Sequence, residues 1–354
     1  MRRYVAFAPG AFATRGAKTA HGVIAYGTQP VVAVVDPEHA GRRVREVVPY
    51  LASDAPIVAS VVEALAYQPN ALLIGVAPAG GALPATWRAE ILRAIAARLE
   101  IVSGLHDELG ADLELAAAAS RAGTAIVDLR KSPPPRLFSG EAYGVTACVA
   151  LLVGSDCAVG KMTAALELTR AARESGIRAE FVATGQTGIA IAGSGTAIDR
   201  VVADFASGAV EELVLAHRDA DLLFVEGQGG INHPAFAPVT LALLFGAAPD
   251  ALVLVHDAAR THALDVGTPL LPLVRLIALY EGLCASVKPA AVAGIALDTH
   301  GLDAASAART VARTRDETGL PCDDVVRNGA GGLYRAMAPA FSCKTRPHAT
   351  QARA

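Results

Sequence analysis

Twenty residues, VALLVGSDCAVGKMTAALEL (Val149–Leu168), constrain the fold more than any other stretch of the chain. An unbroken apolar run rich in valine and leucine suits a strand buried on both faces, and the alanine- and leucine-rich run after it suits a helix. Only GSDCAVGK lies between them. A buried strand that enters a helix through so short a turn is the βα unit of a parallel sheet. Glycines let successive backbone N–H groups converge on an anion, the helix presents its positive end, and Lys161 adds a mobile charge. The stretch predicts a phosphate cradle contributed by Ser155, Asp156, Cys157, Val159, Gly160, Lys161, Met162 and Thr163.

The cradle departs from the usual nucleotide-binding pattern in two ways. Five residues instead of four separate Gly154 from Gly160, and Met162 follows the lysine where Ser or Thr normally holds magnesium. A thioether cannot serve a hard cation that demands oxygen ligands. Thr163 comes next, but one helical position turns a side chain by about 100°. Either a metal is held elsewhere or there is none. No metal-ligand set is predicted: the five cysteines, Cys148, Cys157, Cys284, Cys322 and Cys343, form no CxxC pair, so neither zinc nor a disulfide framework is indicated and a reducing cytoplasm fits.

With 354 residues the chain is expected to form two domains. Strand-like and helix-like runs alternate from QPVVAVVD through TWRAEILRAIAARL to TAIVDLR, which argues a parallel sheet covered on both faces. Pro133, Pro134 and Pro135 then break the pattern, and it resumes with VTACVALLVGSD. The expected architecture is α/β: a Rossmann-like domain over residues 1–135 and a P-loop NTPase-like parallel-sheet domain over 141–354. The tail after Ala340 is expected to fray. A net charge of -3, spread along the chain, excludes the basic block that nucleic-acid binding requires. The longest apolar tract, AFAPVTLALLFGAAPDALVLV, is interrupted by Pro238, Gly246, Pro249 and Asp250 and reads as a buried helix and strand, so no membrane is expected as partner. The N-terminal apolar run is broken by Pro9 and Gly10, too early for a secretory signal. A cytoplasmic homo-oligomer acting on a small molecule is expected.

Open α/β sheets place ligands at the carboxyl ends of their strands. There, LLFVEGQGGINHPAF brings Glu226 to the end of a strand, with His233 seven residues on, and either is a candidate general base. LVLVHDAARTH closes another strand with His256 and Asp257, followed by Arg260, whose planar fork suits a carboxylate. FVATGQTGIAIAGSG reads as a glycine-rich loop with Gln186 and Thr187 among its polar groups, and Asp199 lies just beyond it on an expected helix. In the first domain, TRGAKTAHG gathers Arg15 and Lys18 in a polar loop. Cys157 reads as a lining residue of the cradle.

Three of these stretches, GSDCAVGKMTAALEL, FVATGQTGIAIAGSGTAIDRVVADFASGAVE and VEGQGGINHPAF, together resemble the D-glutamate N-acetyltransferases, a bacterial family long carried as a P-loop domain of unknown function. RGAKTAHGVIAYG, VVAVVDPEHAG and SGLHDEL extend the resemblance through most of the chain. It implies acetyl transfer from acetyl-CoA to the amine of an acidic amino acid. In that reading the cradle residues hold coenzyme phosphate, and Glu226 or His233 takes the proton of the substrate ammonium. Arg15, Lys18, Gln186, Thr187 and Arg260 are the substrate-binding candidates. Thioester acyl transfer involves no phosphoryl transfer, which would answer the oddity of Met162. GSDCAVGK and VEGQGG also resemble dethiobiotin synthetase, so the alternative is an ATP-dependent kinase or ligase using magnesium.

Overall fold

The computed structural model describes residues 1–341 apart from Ala77; the tail expected to fray lies, from residue 342 on, outside the described residues, as does Cys343. The chain separates into two compact units, one of Met1–Pro134 with Ala183–Val201 and one of Pro135–Val182 with the remainder from Val202. The proline-rich break thus falls at the first division. The segment 183–201, assigned by sequence to the second domain, groups with the first.

The N-terminal unit holds six parallel strands: β1 (Tyr4–Phe7), β2 (Val31–Val35), β3 (Ile57–Val58), β4 (Ala71–Ile74), β5 (Glu100–Ser103) and β6 (Ile126–Asp128). Their order is β3-β2-β1-β4-β5-β6, the doubly wound Rossmann arrangement. Because side chains alternate along a strand, Val5 and Phe7 enter one core with Leu72 and Ile101, while Ala6 and Ala8 enter another with Phe12 and Val34. A sheet buried on both faces cannot show polar alternation, which is why its strands read as continuous apolar runs. Helix ends follow local chemistry. Asp112 caps Leu113–Ala122 by accepting from the amides of Glu114 and Leu115, and Gly123, at φ 67°, ends it.

The C-terminal unit carries β7 (Cys148–Gly154), β8 (Ala179–Val182), β9 (Leu222–Val225), β10 (Ala251–Asp257), β11 (Ala291–Asp298) and β12 (Cys322–Asp323), again all parallel. The order is β12-β11-β10-β7-β9-β8. From β7 the chain proceeds toward the β8 edge, and from β10 toward the β12 edge. The direction thus reverses between β7 and β10, whose carboxyl ends are the position at which such sheets bind ligands.

One element differs from expectation. Gln186–Ala192, read as a loop, is a short helix running from Gly185 to Gly193 at φ 78°. Its first six residues are buried. Thr187 meets Thr19 of the helix Lys18–Tyr26, with 2.8 Å between their hydroxyls. Burial outweighs the low helix propensity of glycine and threonine in TGIAIA. Among the described residues no helix is long and apolar enough to cross a membrane.

Candidate functional site

Gly154 ends β7, and the helix Lys161–Glu174 begins after Gly160. Between them the backbone turns left-handed twice, at Ala158 (φ 55°) and Gly160 (φ 96°). Gly160 offers no capping side chain, and no acidic residue lies in the first helical turn. The amides that open a helix have no partner within it, so this positive end is left to an anion. Lys161 folds back, its Nζ donating to the carbonyls of Asp156 and Gly229 at 2.7 Å each. Glycine suits position 154, since a Cβ there would lie 2.9 Å from the Asp156 carbonyl oxygen as well as 2.7 Å from that Nζ.

The segment Glu226–Gly230 follows β9 and passes directly beneath the cradle. At Gly227 a Cβ would come 1.6 Å from the Leu152 carbonyl, and at Gly230 one would come 2.9 Å from Asp156 Cα. Gly229 is left-handed at φ 66°. The glycines of VEGQGG are therefore explained by close passage across β7 and the loop after it. Glu226 is buried, with its amide donating to Val182 O. Tyr280, fully buried on the helix Leu273–Ala285, joins the two segments: its hydroxyl donates to Gly154 O at 2.7 Å and accepts from Ile231 N at 3.1 Å. Sequence offered no signal for this role, because a lone tyrosine in an apolar helix does not announce which backbone its hydroxyl reaches.

Asp156 is the hub of the site. It is fully buried; one carboxylate oxygen accepts from the Cys157 amide and the other from Arg260 Nη1 and Leu264 N, each 2.8 Å away. Arg260 also lies 3.7 Å from Asp257. Its guanidinium thus neutralises buried carboxylates of the protein itself, whereas the sequence had suggested a substrate clamp. His233 is 1% exposed. Its Nε2 lies 2.9 Å from Leu264 O, which can only accept, and its Nδ1 accepts from Ala235 N at 3.2 Å. With Nε2 donating and Nδ1 accepting, both ring nitrogens are occupied. Burial, reinforced by the Asp156 charge, pushes the Cys157 thiol up to about 11, so a thiolate is disfavoured at neutral pH. Asp156, Cys157 and His233 bring donor atoms within 4.8 Å of one another, but each already has protein partners.

Ser155 is buried, and its Oγ lies 2.8 Å from Nδ1 of His256, the penultimate residue of β10. The bond links the carboxyl ends of the paired strands β7 and β10. Val159 is fully buried, while Met162 and Thr163 are half-buried at the start of the helix. In the N-terminal unit, Arg15 and Lys18 are exposed at the short turn and helix after β1. Gln186 and Thr187 are buried in packing. Asp199 sits in a short turn, Ile198–Arg200, paired with Arg130.

Residues 136–334 match the family model described as the P-loop domain of unknown function DUF1611, and residues 37–132 match its Rossmann-like N-terminal domain. The crystal structure at 2.30 Å of a DUF1611 family protein from Anabaena variabilis ATCC 29413 aligns with TM-score 0.92 and 40% identity, covering 96% of this chain and 100% of that one. Two proteins named D-glutamate N-acetyltransferase, from Pseudoalteromonas sp. and Tritonibacter scottomollicae, are each 37% identical to it. They align over 276 and 280 residues, which is 77% and 78% of this chain and 83% of each relative. With both domain models matched in order along one chain, the protein belongs to the DUF1611 family.

Proposed function

We propose that the protein transfers an acetyl group from acetyl-CoA to the amine of D-glutamate. The reading is supported by the relatives of that name and by the chemistry of the cradle. The observation that carries it is an uncapped helix end beside Lys161 with a thioether in the metal position: the helix end and Lys161 suit a phosphate, while Met162 offers magnesium no oxygen. The donor set fits the diphosphate of coenzyme A. Loop amides from Val159 to Thr163 and Lys161 would hold it, and acetyl-CoA when bound would supply an activated acyl carbon. Asp156, locked by Arg260 and Leu264, keeps the loop in place. Arg15 and Lys18, exposed in the N-terminal unit, are of the residue types that suit a carboxylate.

A kinase or ligase reaction with ATP is the competing reading, and Glu226 at the end of the strand beside β7 favours it. Acetyl transfer to D-glutamate, followed by thiol release, should survive excess EDTA. Loss of turnover that added magnesium restores, with ATP required, would instead establish the ATP reaction.

A further inference from the structure

His256 stands apart from the other basic candidates. It is the penultimate residue of β10, beside β7, so it lies where the strand order reverses and where ligands enter such a sheet. Its ring is half-buried, and among the described residues Nδ1 carries its only hydrogen bond, to Ser155 Oγ of the cradle. His233 has both nitrogens committed and is 1% exposed. A base needs a lone pair within reach of the proton it takes.

We infer that His256 is the general base of this site, its Nδ1–H donating to Ser155 Oγ and its Nε2 accepting a proton from the substrate ammonium. The inference rests on the acetyl-transfer reading. His256 removes one proton, and the amine nitrogen bonds the acetyl carbonyl carbon as the carbon–sulfur bond breaks. The sulfur leaves with the bonding pair and takes the second nitrogen proton, so the products are the amide and a free thiol. The proton on His256 passes to solvent.

The electrical surroundings agree. Burial lowers the pKa of His256 below the ordinary histidine value; Asp257 pulls it up and Arg260 pushes it down. From the β7 side the ring meets the neutral Ser155 hydroxyl, and from β11 its register neighbour is Leu297, with Asp298 next along. The ring is therefore neutral and able to accept a proton at pH 7.

The test is His256→Asn, whose amide can still bond Ser155 from the Nδ1 position. With acetyl-CoA and D-glutamate, kcat should fall by about a hundredfold to ten-thousandfold, while acetyl-CoA affinity by calorimetry stays within about threefold. The acidic limb of the wild-type pH profile, set below the ordinary histidine pKa, should give way to a rate that rises with hydroxide throughout. A kcat within about threefold of wild type, or an unmoved acidic limb, overturns the assignment of the base but not the reaction. Absence of acetyl transfer by the wild-type protein overturns both. Should His256→Asn fail to fold, nitrogen NMR of the intact wild-type protein decides. The proton on Nδ1 at neutral pH supports the base; the proton on Nε2 overturns it.

Discussion

Lys161 shows how much a single side chain decides in this site. Its ammonium lies against two carbonyls, Asp156 O and Gly229 O, and thereby ties the cradle to the glycine segment after β9. A phosphate in the loop would meet a charge already held in place, so little side-chain entropy remains to be lost on binding. Lys161→Ala should therefore weaken coenzyme A binding by at least about tenfold, or about 1.4 kcal/mol, without unfolding the protein. Calorimetry checks this, and unchanged affinity would remove the phosphate from the loop. Arg260 gives the contrary lesson. Its type suits a carboxylate, as the sequence indicates, but the carboxylates it meets belong to Asp156 and Asp257. Residue type names the chemistry of a partner and not its identity.

At the scale of elements, the site is a junction of three segments: the loop after β7, the glycine run after β9, and the helix Leu273–Ala285. The first two were legible because their glycines are obligatory, as the 1.6 Å approach to Leu152 O at Gly227 shows. The third was not, because Tyr280 reaches the junction across more than a hundred residues of chain. Its hydroxyl satisfies one buried acceptor and one donor at once, so Tyr280→Phe leaves both Gly154 O and Ile231 N without that partner. The cost should be about 1–3 kcal/mol, seen as a lower urea midpoint with an unchanged slope. A midpoint equal to wild type would mean that the hydroxyl contributes no net stability there. The helix Gln186–Ala192 is the element that the sequence misled on: local glycine content pointed to a loop, and burial against the helix Lys18–Tyr26 made it helical.

At the scale of the whole molecule, the cradle and the partners described for it, Gly229, Arg260, Leu264 and Tyr280, lie within the C-terminal unit, which has its own sheet. A ligand held by that unit raises the stability of that unit. Coenzyme A at about a hundred times its dissociation constant should add about 2.7 kcal/mol to its unfolding free energy, and EDTA should leave the gain intact. Differential scanning calorimetry reads this as an upward shift of the transition that includes the C-terminal unit. A shift that needs magnesium would point to ATP chemistry. By itself the sequence determined two parallel-sheet α/β domains and the strand–turn–helix unit that GSDCAVGK joins. These follow from local patterning: apolar runs, helix caps, and glycines fixed in short spans of chain. The tertiary structure alone decided that Asp156 consumes Arg260, that His233 is saturated, that Ser155 meets His256, and that 183–201 joins the first unit. Each of those depends on which strand ends lie side by side. That is set by the order β10-β7-β9, a long-range pairing that local spacing does not encode.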